Sequence, residues 1–338
     1  MFRWIPLIAL LPLVGCETPP TQPQKVVVYA ALDQEFSEPI FAAFTRQTGI
    51  EVDARFDTES TKTTGLVQAI IAERDRPRCD LFWNNEALHT LRLEKLGMLR
   101  PYAPAHGADF PAQYRAADGA WHGLAARARV LLVNTNIVPE ARRPTSVNDL
   151  IDPQWYDKAG VAKPLFGTTA THAAVLWDKL GEERAKEFFD RVQQNCRVMA
   201  GNKQVAQAVA SGALAFGLTD TDDAIIEVEA GAPVAIVYPD QADDELGTLF
   251  IPNTLALIKD SEHPREAEAL VDFLLSPEVE DRLAMGRGAQ IPLNKNSKEK
   301  PRVKTPADVK AMEVDFTQAA KSWDAAAAYL AVTFAGKK

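Results

Sequence analysis

Short apolar runs alternate with helical patterns over the first hundred residues of the chain. Three runs have the length and spacing of strands, at 26–29, 50–56 and 81–83. After each run, apolar residues recur at helical spacing, at 36–44, 66–71 and 88–96. Strands that alternate with helices in this way predict a β-α-β-α-β-α unit, built on a mainly parallel sheet with right-handed crossovers.

The same alternation continues after residues 101–123, which are rich in Pro, Ala and Gly and have no periodicity. Further strands are predicted at 130–133, just before 165, and at 216–218, 234–238 and 249–257. Further helices are predicted at 171–180, 182–192, 202–210, 267–275, 279–285, 309–316 and 323–334. We interpret the chain as an α/β protein with two lobes. The first lobe is expected at 25–123 and 241–290, and the second at 124–240 and 291–338. The strands at 130–133 and 249–257 are expected to cross between the lobes and to form a hinge beside a ligand cleft.

The amino-terminal residues have the features of an export signal. Arg3 is followed by an apolar stretch at 5–14, which is shorter than a membrane span and typical of a signal peptide. The stretch ends in Leu-Val-Gly-Cys at 13–16, which resembles the lipobox of bacterial lipoproteins. The resemblance implies removal of 1–15 and acylation of Cys16, and 16–24 is then a Pro- and Thr-containing tether. We therefore expect an exported lipoprotein, attached to the membrane through lipid on its periplasmic side.

The charge and the cysteines narrow the classes of partner. With a net charge of −9 the chain lacks the basic surface that nucleic-acid binding requires, so no nucleic acid is expected. Cys79 and Cys196 are able to pair in an oxidising compartment, but two buried free thiols are the favoured alternative. The sequence has no nucleophile–base motif and no Cys/His spacing for zinc, which favours a binding protein without a cofactor over an enzyme. An exported enzyme that uses clustered carboxylates is the second hypothesis.

Polar residues follow most of the predicted strands, where the carboxyl ends of a sheet meet a ligand cleft. The segment 215–223 is the fullest case, because a buried strand ends there in hydroxyls and carboxylates. Helices that start in the same loops offer unpaired N–H groups to a ligand. The candidate ligand-binding residues are Asp33, Glu59, Trp83, Asn84, Glu86, Arg127, Arg129, Thr168, Thr169, Thr171, His172, Asn202, Thr219, Asp220, Thr221, Asp222 and Tyr238.

Five segments carry a resemblance to a known family. They are Val-Tyr-Ala-Ala at 28–31, Phe-Thr-Arg-Gln-Thr-Gly-Ile at 44–50, Arg-Pro-Arg-Cys-Asp-Leu-Phe-Trp at 76–83, Leu-Gly-Met-Leu at 96–99 and Pro-Asn-Thr at 252–254. From about 25 to 293 the chain resembles the extracellular solute-binding proteins of ABC importers, family 1, in the branch of the ferric-iron-binding proteins. The resemblance implies a type II periplasmic-binding-protein fold and a monomer that closes its two lobes on one small ligand. It also implies delivery of that ligand to an inner-membrane permease and its ATPase.

Ferric iron or a related metal species is the ligand that the resemblance implies. In that branch a pair of adjacent tyrosines follows the strand that corresponds to 216–218, whereas this chain has Thr221 and Asp222 there. The loop after the first strand and a glutamate after the third can also supply metal ligands in the branch, and Asp33 and Glu86 stand at those places. With the tyrosine pair absent, the expected oxygen ligands of a cation are Asp33, Glu86, Asp220 and Asp222.

A small anion is the competing interpretation. Arg127 and Arg129 alternate on a predicted strand, and arginine suits bidentate recognition of carboxylate or phosphate. The threonines of the 168–171 turn precede a helix, where they either bind negative charge or only cap the helix. A phosphorylated or carboxylated solute fits this set, and an anion that accompanies a cation fits both sets. Three further residues stay open between a ligand contact and a packing role, namely Trp83, His172 and Tyr238.

Overall fold

The structure is a computed structural model that describes residues 24–57 and 63–336. The described residues do not include the predicted signal peptide, the predicted acylation site Cys16, the predicted tether up to residue 23, or Glu59. Over the two described ranges, no helix combines the length and the apolar character that crossing a membrane requires. The described chain is a mixed α/β structure with two lobes, each built around its own part of a curled sheet.

The first lobe begins with three parallel strands, as the apolar pattern predicts. The strands are β1 (Lys25–Ala30), β2 (Glu51–Phe56) and β3 (Leu81–Asn84), with β1 in the middle. The helices that follow them are α1 (Gln34–Thr48), α2 (Thr64–Ala72) and α3 (Leu88–Lys95). All four residues of β3 are buried, which accounts for a continuous apolar run instead of an alternating one. Gly49 ends α1 in the left-handed conformation with φ +76, which glycine adopts without strain.

A long strand connects the two lobes. After β4 (Leu99–Arg100), β5 (His122–Asn134) is 13 residues long and buried throughout. Its residues up to Ala128 pair within the first lobe, and its residues from Arg129 onward pair within the second lobe. The crossing strand predicted at 130–133 is therefore one half of β5.

The second lobe has parallel and antiparallel strands. They are β6 (Ala159–Ala162), β7 (Arg197–Met199), β8 (Phe216–Asp220) and β9 (Val234–Val237). β6 lies parallel between β7 and β8, whereas β8 and β9 each pair antiparallel with β5. The helices are α4 (Gly167–Leu180), α5 (Glu182–Asn195), α6 (Asn202–Ala210) and α7 (Thr221–Glu229). Since α4 begins at Gly167 and not at 171, the threonines of the 168–171 turn belong to the helix.

The next strand returns the chain to the first lobe. β10 (Phe250–Ile258) lies antiparallel between β3 and β5 and also pairs with β4. β10 therefore belongs to the first lobe, and the crossing predicted at 249–257 is made just before it, between β9 and β10. The strand accommodates Pro252 with a shift of register against β5 between Pro252 and Asn253.

The carboxyl-terminal part is mainly helical. α8 (Pro264–Leu274) and α9 (Pro277–Met285) cover the first lobe, whereas α10 (Phe316–Lys321) and α11 (Trp323–Thr333) pack on α4, and α10 also touches α3. The helix predicted at 309–316 is wrong, because this segment has no helical turn and Ala311 forms a β-bridge with Thr248. Gly247 permits this contact, since it has φ +86 and a Cβ there would lie 2.9 Å from the backbone of residues 310–312.

The two cysteines of the described chain are separate buried thiols, which confirms the favoured alternative. The Cys79 thiol donates to the carbonyl of Leu81 in the first lobe, and the Cys196 thiol donates to the carbonyl of Leu150 in the second lobe. Burial raises the pKa of Cys79 well above its ordinary value, so this thiol is a poor nucleophile.

Candidate functional site

A cleft between the two lobes gathers most of the polar loops. Its walls are the start of α1 and Asn85 in the first lobe, Arg127 on β5, and parts of the segments 162–169, 200–202 and 220–223 in the second lobe. The space left for the centre of a water molecule is about 20 Å³, which is room for about one water. The lobes are therefore closed on each other.

Three helices of the second lobe start at this cleft. Because β6, β7 and β8 run parallel, their carboxyl ends meet at one edge, and α4, α6 and α7 begin there. None of the three N-cap residues, Phe166, Gly201 and Asp220, makes a side-chain cap hydrogen bond. The first turns of α4 and α6 thus offer N–H groups on the cleft side without a capping side chain, and the helix dipole adds partial positive charge. In α7 the Asp223 N–H donates to Oδ1 of Asp222. This wall of the cleft favours negative charge.

Arg129 and Asp220 form a buried ion pair behind that wall. Arg129 Nη1 lies 2.7 Å from Asp220 Oδ1, with side chains 0% and 6% exposed. The other oxygen of Asp220 accepts from Thr168 Oγ1 at 2.5 Å and from Asn202 Nδ2 at 2.9 Å. Thr169 Oγ1 accepts from Arg129 and donates to Asn202 Oδ1 at 3.0 Å. These contacts connect the starts of α4 and α6 to the end of β8.

Arg127 connects the two lobes across the cleft. Its Nε lies 3.0 Å from Oδ2 of Asp222 in the second lobe, at an angle too bent for a hydrogen bond. In the first lobe its Nη2 donates to Asn253 Oδ1 at 2.6 Å, and its Nη1 donates to the carbonyl of Asn85. Arg127 is 2% exposed, so its guanidinium is desolvated, and these partners offset the free-energy cost of burying its charge.

Carboxylates and cations nearly balance in the cleft. Asp220, Asp222 and Asp223 each place one oxygen within 4.8 Å of the others, and Asp33 contributes to the wall of the first lobe. The two arginines offset the charges of Asp220 and Asp222. A ligand therefore meets two further carboxylates, Asp33 and Asp223, and the ammonium of Lys163, and the charge of Lys203 acts on both of these carboxylates. Such a site does not neutralise a bare multivalent cation, which requires negative groups of its own.

Lys163 is a cleft residue that the sequence analysis did not find. It follows β6 directly, is half-buried and lines the cleft. Among the described residues, no ion pair or hydrogen bond to its ammonium group is observed. A signal was available, because Lys163 comes directly after a buried strand at the edge where the other strands of this lobe end. Asn85 and Asp223 also line the cleft and are absent from the predicted set.

The structure brings about half of the predicted ligand-binding residues together. Those that lie at the cleft or directly behind its wall are Asp33, Arg127, Arg129, Thr168, Thr169, Asn202, Asp220 and Asp222. Those that lie elsewhere are Trp83, Asn84, Glu86, Thr171, His172, Thr219, Thr221 and Tyr238.

Glu86 is buried beside α3 and does not line the cleft. Its carboxylate accepts from the backbone N–H groups of Leu88 and His89, from Asn84 Nδ2 at 2.6 Å and from Thr171 Oγ1 at 2.7 Å. Burial acts to raise the pKa of Glu86, but the hydrogen bonds from His89, Thr171 and Asn84 outweigh it and hold the pKa below its ordinary value. These donors already occupy both oxygens, so the structure gives Glu86, Asn84 and Thr171 a structural role in place of the predicted ligand contacts.

Trp83 and Tyr238 pack against protein and not against the cleft. Trp83 is fully buried, with its ring edge-on to Phe41 at a centroid distance of 5.5 Å. Tyr238 accepts a hydrogen bond at its hydroxyl from the Lys304 N–H at 2.7 Å, and the Lys304 ammonium lies 5.5 Å from its ring centroid. Of the two roles left open for each aromatic ring, the structure shows packing.

Three further predicted residues fix the second lobe internally. His172 is buried in its core, where burial and, to a lesser extent, the charge of Arg129 lower the pKa to about 3. Thr219 Oγ1 donates to the carbonyl of Asn202 at 3.0 Å. Thr221 Oγ1 accepts from the Ala128 N–H at 3.0 Å, which attaches the start of α7 to β5. The hydroxyls of Thr219 and Thr221 and the ring of His172 therefore stabilise the fold and do not line the cleft.

Comparisons with known proteins match both lobes. The sequence pattern of the family described as bacterial extracellular solute-binding protein matches residues 80–319. The Fe(3+)-binding periplasmic protein of Serratia marcescens is 23% identical over 299 residues, which is 87% of this chain and 86% of the relative. Iron-bound HitA from Pseudomonas aeruginosa superposes with a TM-score of 0.83 at 24% identity, covering 91% of this chain and 99% of that chain. AfuA from Actinobacillus pleuropneumoniae, with exogenous fructose-6-phosphate bound, superposes with a TM-score of 0.82 at 20% identity, covering 93% and 100%.

These likenesses agree with a two-lobe type II fold whose cleft lies between the lobes. The family pattern covers well over half of the chain, from β3 to α10. The chain therefore belongs to the bacterial extracellular solute-binding proteins.

Proposed function

We propose that the protein is the lipid-anchored substrate-binding component of an ABC importer. It captures a small ligand by closing its lobes and delivers the ligand to an inner-membrane permease and its ATPase, without catalysing a reaction. The leader pattern that ends at Cys16 supports the anchor, and membership of the family supports the transport role. The observation that carries the proposal is the interlobe cleft, where charged groups of both lobes converge on one small space.

The proposed ligand is a metal cation, ferric iron or a related species, bound together with a small anion. Support for the metal comes from the Serratia relative named for Fe(3+) binding and from the iron-bound HitA structure. Oxygen ligands of the hard type that such cations prefer are present in Asp33, Asp222 and Asp223. The tyrosine pair of the branch is replaced here, so its strong phenolate ligands are absent at Thr221 and Asp222.

Support for the anion comes from the charge balance and from the helix starts. The two arginines already offset two carboxylates, so an incoming multivalent cation retains positive charge that an anion must balance. Lys163 and the first turns of α4 and α6 offer positive charge and N–H donors on one wall of the cleft. Asp222 and Asp223 line the same space as Lys163 and the first turns of α4 and α6, which suits a cation–anion pair.

A phosphorylated organic anion without a metal is the second candidate. The helix starts, Lys163 and the fructose-6-phosphate in the AfuA structure favour it. The closed cleft has room for about one water, so a sugar phosphate requires the lobes to open, and so does a metal ion that carries an organic anion such as citrate. We rank this candidate second because the Serratia relative is named for Fe(3+) binding and the HitA structure holds iron.

The two candidates are separated with a soluble form that begins at Glu17. It is purified under native conditions, its metal is measured by elemental analysis, and released small molecules are measured by mass spectrometry. Metal-free protein is then titrated with Fe³⁺ plus citrate, with citrate alone and with fructose-6-phosphate alone. If Fe³⁺ plus citrate binds tightly and neither citrate alone nor fructose-6-phosphate alone does, the first candidate is supported. If fructose-6-phosphate binds without metal, the second candidate is supported.

Two substitutions test the walls of the cleft separately. Asp223→Asn is expected to weaken metal binding, and Lys163→Ala is expected to weaken binding of the accompanying anion, with little change in stability. Asp244→Asn and Lys179→Ala are matched controls on exposed residues outside the cleft. Unchanged affinities for every probe in both cleft variants contradict the proposed site.

A further inference from the structure

The strand that crosses between the lobes contains a β-bulge next to the cleft. The register of β5 against β10 shifts so that Ala126 pairs with Pro252 and Leu124 pairs with Asn253, which leaves Ala125 without a ladder partner. Ala125 also has φ +36, a conformation that residues with a Cβ rarely adopt. Such a residue persists only where its surroundings hold it, and bulges next to binding sites commonly redirect a side chain.

Two buried side chains hold this bulge. Glu280 Oε1, on α9, accepts from the Ala125 N–H at 2.6 Å, and Asn253 Nδ2 donates to the Ala125 carbonyl. Both side chains belong to residues that are 0% exposed. The second oxygen of Glu280 accepts from the N–H groups of Leu293 and Asn294, so Glu280 fixes the bulge to a neighbouring loop. The two polar groups that the ladder leaves unpaired at Ala125 are thus satisfied by side chains.

Asn253 also contacts the arginine that spans the cleft. Its Oδ1 accepts from Arg127 Nη2 at 2.6 Å, while its Nδ2 donates to Gln290 Oε1 at 2.8 Å as well as to Ala125. A guanidinium only donates and a carbonyl only accepts, so these contacts define the orientation of the amide. One side chain therefore fixes both the backbone of the bulge and the guanidinium two residues further along β5.

We infer that Asn253 and Glu280 are positioning residues that hold Arg127 toward Asp222 across the cleft. Because side chains alternate along a strand, the extra residue at Ala125 determines which of the following side chains face the second lobe. Asn253 acts on the guanidinium directly, and Glu280 acts through the bulge. That Arg127 matters for the ligand rests on the proposed function, whereas the positioning itself rests on the contacts alone.

A double-mutant cycle tests whether Asn253 acts through Arg127. The dissociation constant for Fe³⁺ plus citrate is measured for Asn253→Ala, for Arg127→Lys and for the double variant. Asn195→Ala is the matched control, because Asn195 is also buried and donates to two backbone carbonyls, but lies away from the cleft. We expect Asn253→Ala to weaken binding about tenfold more than Asn195→Ala, and to add less than about threefold once Arg127→Lys is present.

A readout without ligand tests the positioning separately. In ligand-free Glu280→Gln, hydrogen exchange at the Ala125 amide is expected to accelerate, and crystal structures of ligand-free Asn253→Ala are expected to show Arg127 turned away from Asp222. If Arg127→Lys weakens binding but Asn253→Ala behaves like Asn195→Ala, the positioning role is overturned and the cleft assignment stands. If Arg127→Lys binds like wild type, the cleft assignment fails. Independently, an unmoved Arg127 in the crystal structure of ligand-free Asn253→Ala overturns the positioning role.

Discussion

The buried imidazole of His172 leads to a quantitative prediction about stability and pH. His172 is 2% exposed, and neither ring nitrogen has a hydrogen-bond partner in the described structure. Burial, with a smaller contribution from Arg129, lowers its pKa to about 3, whereas a histidine of the unfolded chain titrates near 6.5. On acidification the unfolded chain takes up this proton first, so acid favours unfolding.

The magnitude follows from the two pKa values. Below pH 6.5 each pH unit lowers the free energy of unfolding by about 1.4 kcal/mol, until the folded pKa of about 3 is reached. Between pH 8 and pH 5 the expected loss from His172 is therefore about 2 kcal/mol. A variant without an ionisable group at this position, His172→Leu, does not show this loss.

Glu280 acts in the opposite direction over the same range. Burial raises its pKa to about 7, in spite of three backbone N–H groups that favour the ionised form. The stability that this raised pKa contributes is complete below about pH 4.5 and is lost as the pH rises through about 7. Acidification from pH 8 to pH 5 thus increases the free energy of unfolding by about 2–3 kcal/mol through Glu280. In the wild type the effects of His172 and Glu280 on the free energy of unfolding therefore nearly cancel between pH 8 and pH 5.

The assay is urea unfolding of the ligand-free soluble form at pH 8 and at pH 5. Relative to wild type, His172→Leu is expected to gain about 2 kcal/mol of stability on going from pH 8 to pH 5, because only the Glu280 effect remains. Glu280→Gln is expected to change by a similar amount in the opposite direction. Comparing each variant with wild type removes the contribution of every other titrating group. An identical pH dependence in wild type and His172→Leu refutes the reasoning.

Three further predictions concern the contacts between and behind the lobes. Gly288 lies between Phe36 and Asp222, where a Cβ would be 3.2 Å from each, so Gly288→Ala should weaken Fe³⁺–citrate binding several-fold in a titration. Gly336→Ala, with no atom within 4 Å of the added Cβ, is its control. Asp220→Ala leaves Arg129 buried without its ion-pair partner and should lower the free energy of unfolding by about 3–5 kcal/mol in urea. The control Asp157→Asn removes the charge of an exposed pair with Arg197, keeps a residue type that tolerates the φ of +57 at this position, and should cost less than about 1 kcal/mol. Glu35→Gln removes exposed ion pairs with Lys203 and Arg287 and should leave the free energy of unfolding within about 1 kcal/mol of wild type. Small-angle scattering of this variant without ligand should detect a larger fraction of molecules with open lobes.

Much of the fold was predictable because its signals are local. The strands β1 to β3 and their helices follow from runs and spacings within about fifteen residues. Arg127 and Arg129 do lie on one strand, as their alternation predicted, and each pairs with an aspartate of the second lobe, but only Arg127 lines the cleft. The segment 309–316 has apolar residues at helical spacing, but its partner Thr248 is distant in sequence, and that contact decides its extended form.

The site was less predictable because its contacts are long-range. Glu86 has the residue type and the position of a metal ligand, yet its role is set by Thr171, which is 85 positions away. Likewise, the pairing of Arg129 with Asp220 spans 91 positions. No local pattern reveals which polar loops of an α/β protein face the ligand and which hold the fold together. The opposite error also occurs, because Lys163 lines the cleft and was not among the predicted site residues.

The ion pairs that Arg127 and Arg129 form have a consequence for the transport cycle. The protein carries counter-ions for two of its own cleft carboxylates, so a cleft without cargo is already close to neutral when the lobes meet. Closure then needs no cargo to suppress charge repulsion between the lobes. In the importer that we propose, a permease that senses only whether the lobes are shut cannot separate a loaded protein from an empty one. The signal for transport then has to come from the cargo itself or from the energy of reopening.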